Sequence, residues 1–117
     1  MRTKIDEFNK NEKSLLLFFE DCLVNKSGRV SSVHMNKEDM IIAEKFVEEG
    51  LIDFGRLTFE IIEKFKKMTI NYNLGPTHWV RFTDEAWILA HQLRKIKSNK
   101  YIESIKQKLE EEMTCHT

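Results

Sequence analysis

Proline is nearly absent from this 117-residue chain. There is one, Pro76, and only four glycines accompany it. So few turn formers exclude a strand-rich sandwich with many tight turns and point to mostly helical structure. Cysteine is equally scarce: Cys22 and Cys115 make neither a disulfide framework nor a metal motif. Cys22 sits in an apolar run and reads as a buried thiol, whereas Cys115 lies near a polar end. No apolar run is long enough to span a bilayer, since Leu15 to Phe19 is the longest and a span needs ~20 residues. The start, Met1 to Asp6, lacks the apolar stretch of a secretory signal. The expectation is a cytoplasmic protein without a membrane partner.

Catalytic signatures are missing as well. His34, His78, His91 and His116 are scattered, with no His-Glu-x-x-His or Cys-x-x-Cys spacing, and there is no glycine-rich phosphate loop. His91, one helical turn from Trp87, reads as an interior histidine, and His78 reads as a strand residue. Cys115-His116 suggests nothing beyond adventitious metal binding. The expectation is a binding protein with no catalytic residues, no metal and no cofactor.

Net charge is zero, from 19 basic and 19 acidic side chains, yet the charges are segregated. Residues 1–55 carry eight basic and eleven acidic groups. Residues 56–108 carry eleven basic and five acidic groups, and Glu110, Glu111 and Glu112 follow. A local basic face attracts phosphate even on a neutral molecule.

What is present is a series of strong local signals. In His78-Trp79-Val80-Arg81-Phe82 the set His78, Val80 and Phe82 alternates with Trp79 and Arg81 at the two-residue period of a half-buried strand. Thr83 can cap the helix that follows, with Asp84 and Glu85 in its first turn, where the helix dipole favours negative charge. Asn73-Leu74-Gly75-Pro76 is a turn signal, so Ile70-Asn71-Tyr72 can pair with residues 78–82 as a hairpin. Residues 1–11 read as a flexible lead-in. Ser14 to Val24 is apolar on nearly all sides and belongs in the centre of a core, with Gly28 available for a left-handed cap. Arg29 to His34 is a short strand edge. Asn36 and Asp39 form a capping box for a second helix that Gly50 ends, and Leu51 to Gly55 is an extended link. Thr58 caps a third helix to about Met68, with Phe59, Ile61, Ile62 and Phe65 inward. The expected core centres on Leu16, Phe19, Leu23, Ile42 or Ala43, Phe46, Ile62, Phe65, Val80, Phe82 and Leu89. Ser98-Asn99 should weaken the closing helix. Beyond it, Ile102, Ile105, Leu109 and Met113 make an apolar seam that either packs back on the domain or pairs with a second subunit.

The order of helices, turn, strand and closing helix outlines a mainly α domain with a small β-hairpin, of winged helix-turn-helix type. It occupies residues 12–97, with a helical tail at 98–117 as a possible dimerisation element. The stretches Gly28-Arg29-Val30, Met35 to Asp39, Ala43 to Ile52, Phe54-Gly55-Arg56 and Trp79 to His91 resemble a group of small phage and mobile-element proteins, and Val80 to Ala90 resembles the wing strand and following helix of winged-helix transcription regulators. The winged-helix resemblance implies a DNA-binding fold and, in many such regulators, a homodimer built by terminal helices. The eight residues between the second and third helices exceed the three or four of a helix-turn-helix turn.

Two functions follow as expectations. The first is regulation by binding double-stranded DNA. A recognition helix at 58–68 suits this better than one at 38–49, where five carboxylates oppose one lysine. Arg56, Lys64, Lys66 and Lys67 would bind nucleic acid, extended by Arg81, Arg94, Lys95, Lys97 and Lys100. The second is a protein-binding module that inhibits or regulates a host machine, such as a defence nuclease in the manner of an anti-CRISPR protein. Trp79 and Trp87 read as packing residues before stacking platforms.

Overall fold

A computed structural model describes residues 4–68 and 76–115, except for the side chains of 65–68 and 113–115. The chain runs α1 (Lys10–Lys26), β1 (Arg29–Val30), α2 (Lys37–Glu48), β2 (Ile52–Arg56), α3 (Phe59–Met68), β3 (His78–Phe82) and α4 (Asp84–Cys115), with single 3₁₀ turns at Ile5–Glu7 and Ser32–His34. The protein is mainly helical with one small antiparallel sheet, in the order β1-β3-β2.

Local chemistry explains most boundaries. Asn9 and Glu12 form a reciprocal capping box, so α1 begins at Lys10 rather than near Ser14. Ser27 ends it in the left-handed region, and Gly28 follows at φ +81° with its N–H donating to the Cys22 carbonyl. The Asn36–Asp39 capping box is formed, and Gly50 leaves α2 at φ +76°. Thr83 Oγ1 accepts from the Ala86 N–H at the start of α4 and donates to the Leu51 carbonyl at 2.7 Å.

α1 lies at the centre and contacts α2, α4, β1 and β3. Leu16, Phe19, Ala43, Phe46, Val30, Leu51 and Ala90 are fully enclosed, and Ile42, Ile52, Val80, Phe82 and Leu89 complete the core. Residues 1–11 are not simply a lead-in. Ile5 and Phe8 are buried, with Phe8 packed edge-on against Phe46 at a centroid distance of 6.1 Å. Their apolar side chains gain more from this shelter than the short segment loses in freedom.

The winged outline is altered in three places. Leu51 to Gly55, expected as a link, lies mostly in β2, which pairs with β3 from Ile52↔Phe82 to Arg56↔His78. β3 therefore has β2 and β1 as partners, and the hairpin expected from Ile70 to Tyr72 falls outside the described residues. α3 does not follow α2 as the second half of a helix-turn-helix: it sits between β2 and β3. Its N-terminal cap forms, with Thr58 Oγ1 accepting from the Ile61 N–H, but the described part of its apolar side is largely exposed. Phe59 is 76% exposed, Ile61 is 40% exposed and Ile62 is half-buried, while the Phe65 side chain lies outside the described residues. Finally, α4 runs unbroken through Ser98-Asn99 for 32 residues. Serine and asparagine cost only a few tenths of a kcal/mol each inside a helix, too little to stop it. Its distal part does not fold back on the domain: Ile102, Ile105 and Leu109 are exposed. No described helix is long and apolar enough to cross a membrane.

Candidate functional site

Strand alternation divides the sheet into two faces. Val30, His78, Val80, Phe82, Ile52 and Phe54 turn towards the helices. Arg29, Trp79, Arg81, Asp53 and Gly55 turn outwards, with Trp79 between Arg29 and Gly55 and with Arg81 opposite Asp53. A Cβ built on Gly55 would meet the Trp79 indole at 2.9 Å, so the ring lies flat over this glycine. Trp79 is still 39% exposed.

The nucleic-acid residues expected from sequence do not converge here. Arg81 is bound to Asp53 through Nε and Nη2 at 3.1 and 2.6 Å. Arg94 is held by Glu20 and by the Leu17 carbonyl. These pairs link positions 28 and 74 residues apart, and each directs a guanidinium at a carboxylate instead of at a phosphate. Arg56 falls opposite His78 in the register, so its side chain starts from the face opposite to that of Arg81. Lys64 is exposed on α3, while the side chains of Lys66 and Lys67 lie outside the described residues. Lys95 and Lys97 are exposed on α4, which leaves β3 from the end opposite to Arg56. The expected single basic surface is therefore distributed over both sheet faces and both ends of β3.

The strongest contiguous chemistry is on α2. Its caps and its buried Ile42, Ala43 and Phe46 fix the helix against α1. One side is left in solvent, bearing Lys37, Glu38, Ile41, Glu44, Lys45 and Glu48, with Ile41 58% exposed. The lysine in the middle, Lys45, stays half-exposed, and its Nζ lies 3.4 Å from the buried carboxylate of Glu12. Glu38 accepts from Asn11 Nδ2. The outer surface is thus an exposed apolar residue beside Glu38, Glu44 and Glu48, with Lys37 at the helix start and Lys45 paired to Glu12. Sequence alone exposed the acidity of this helix; the loss of Lys45 to Glu12 needed the packing of α1 on α2.

Other polar clusters among the described residues are sparse. Among the described residues no group of three or more histidine, cysteine or acidic side chains is placed to hold a metal ion. An open cleft of about 380 Å³ is lined by Lys4, Ile5, Asp6, Gln92, Lys95 and Ile96 and carries no convergent acid–base pair. Burial pushes the Cys22 thiol up, as a core cysteine should behave. His91, expected inside, is exposed, and Trp87 is 39% exposed with its ring edge-on to Phe82.

Among the described residues, His78 is the histidine with a built environment. Its ring stacks on Phe54 at 5.1 Å, and Nδ1 is 2.8 Å from Thr77 Oγ1. Burial, and secondarily the Arg56 charge, hold its pKa below the ordinary 6.5. The unfolded chain therefore takes up this proton first as pH falls. The stability tied to neutral His78 is complete above about pH 6.5 and is lost as pH drops through the lower folded value. Thermal melts between pH 7.5 and 5 should show wild type losing more stability than His78→Gln; equal losses would separate this histidine from the acid response.

Comparison with protein-family models, with curated proteins and with solved structures gives no match.

Proposed function

We propose that the protein is a protein-binding module whose α2 face engages a basic surface on its partner. The observation that carries this reading is the exposed stripe on which Glu38, Glu44 and Glu48 outnumber Lys37 beside Ile41, with Lys45 paired to Glu12. The element order supports a winged-helix reading in which the 3₁₀ turn at Ser32–His34 and α2 take the helix-turn-helix positions ahead of the β2–β3 ribbon. In that reading α2 is the helix that would enter a DNA groove. Its carboxylates repel phosphate, whereas an exposed apolar residue beside charged ones suits a protein interface. The resemblance to small phage and mobile-element proteins points the same way, to a regulator of a host machine that itself handles nucleic acid and is therefore basic.

A photo-crosslinking residue placed at Ile41 and activated in cells of the protein's native source tests this. The expected result is one discrete adduct, lost in Glu44→Lys/Glu48→Lys and kept in Lys64→Glu. No adduct, or one indifferent to the charge reversal, would overturn it.

A second reading, nucleic-acid binding, retains one specific observation. Trp79 offers an exposed ring on the outer sheet face, and Arg56, Lys64, Lys95 and Lys97 have no carboxylate partner among the described contacts. Stacking and phosphate attraction would then act together, with a strong dependence on salt.

A further inference from the structure

We propose that two copies of this chain pair through the distal half of α4 in antiparallel orientation. This inference is independent of the α2 reading. α4 projects well beyond the core, in a molecule whose longest dimension is 65 Å. Helix residues outside a core must draw stability from a partner, because an isolated helix of this length is marginal in water. The projecting part carries one apolar stripe. Ile102, Ile105 and Leu109 recur at spacings of three and four and are 47%, 40% and 52% exposed. Ser98 continues the stripe towards the domain as a small residue that lets another helix approach. This is the seam of a two-stranded coiled coil, with too few apolar layers to stand alone but enough to pair.

Charge selects both the occupant and its direction. From Lys95 to Lys108 the helix carries Lys95, Lys97, Lys100, Lys106 and Lys108 against Glu103, and then Glu110, Glu111 and Glu112 follow. Lys95, Lys106 and Glu112 flank the apolar stripe on the helical wheel, with Lys108 and Glu110 further round on either side. A parallel pair sets the glutamates of both copies side by side and the lysines of both copies side by side. An antiparallel pair sets each glutamate run against the lysine stretch of its neighbour. With Ile102 meeting Ile105, Glu112 falls opposite Lys95 and Glu110 opposite Lys97. The helix is thus complementary to itself only when reversed, which gives the two-fold symmetric contact that closed dimers use. A foreign helix would have to reproduce this same charge order.

Sedimentation equilibrium of the full chain at low ionic strength tests the proposal. Wild type should dimerise, and Ile105→Glu should be monomeric with an unchanged melt of the core. Glu110→Lys/Glu112→Lys should weaken the dimer about tenfold, because each new lysine faces a lysine stretch. Adding Lys95→Glu/Lys97→Glu should restore it. A monomeric wild type, or a dimer that survives Ile105→Glu, would overturn the pairing. A dimer unmoved by reversal of the glutamates would overturn the antiparallel direction, since in a parallel pair like charges still face like.

Discussion

Replacing Phe46 with alanine should cost about 3–5 kcal/mol, the range for truncating a fully buried aromatic whose site cannot collapse. Phe46 is completely enclosed and holds Phe8 edge-on, so the substitution removes its own buried area and the shelter of the amino-terminal turn. In a domain of this size that is a large part of the total stability and lowers the melting temperature by on the order of 10–20 °C. Phe59→Ala removes the same atoms from a ring that is 76% exposed on α3. Its expected cost is within about 0.5 kcal/mol, as for other surface changes. Thermal melts of the two variants measure the difference directly. Similar melting temperatures would mean that α3 is packed and that the described core is wrong.

Gly28→Ala should cost roughly 2–4 kcal/mol, from two separate causes. At φ +81° an L side chain is strained by about 1–2 kcal/mol. In addition, the new Cβ lies 2.8 Å from the Val80 carbonyl oxygen, backbone that cannot swing aside. The same stretch of β3 is tied to Gly28 by the Val80 N–H, which donates to its carbonyl at 2.9 Å. Relief of the clash therefore means separating α1 from the central strand. Ser27→Gly next door is the control, since Ser27 already sits at φ 55° and glycine takes that conformation more easily. It should leave stability unchanged or raise it by up to about 1 kcal/mol. Denaturant unfolding of both variants decides the matter, and a Gly28→Ala variant as stable as wild type would contradict the junction between α1 and β3.

These two sites also show what was legible in the sequence. Short-range signals translated well. The Asn36–Asp39 box, the Gly28 and Gly50 stops and the Thr83 cap depend on residues within a few positions of one another. The alternation from His78 to Phe82 correctly separated inner from outer side chains. The first helix announced its central place through its nearly all-round apolar surface. β2 was less visible, because Asp53 and Gly55 interrupt its apolar character; its reason for being a strand is the pairing with β3, including a glycine that admits Trp79. The exposure of Phe59 and Ile61 on α3 was illegible, since amphipathicity shows that a helix has an apolar face and not what covers it. The same limit applied to charge. Arg81 and Arg94 look like free cations until the fold brings Asp53 and Glu20 to them from far along the chain, and Lys45 looks like the relief of an acidic helix until α1 presents Glu12. The physical reason is that sequence counts charges, whereas tertiary structure decides which of them are paired.

Fluorescence anisotropy of a labelled DNA duplex, titrated with the wild-type protein at low ionic strength, is the most direct test of that redistribution. With α2 acidic at its surface and Arg81 and Arg94 committed to carboxylates, no saturable binding is expected even where phosphate attraction is strongest. Saturable binding that weakens steeply with salt and is lost in Lys64→Glu would contradict the account and return the protein to the duplex.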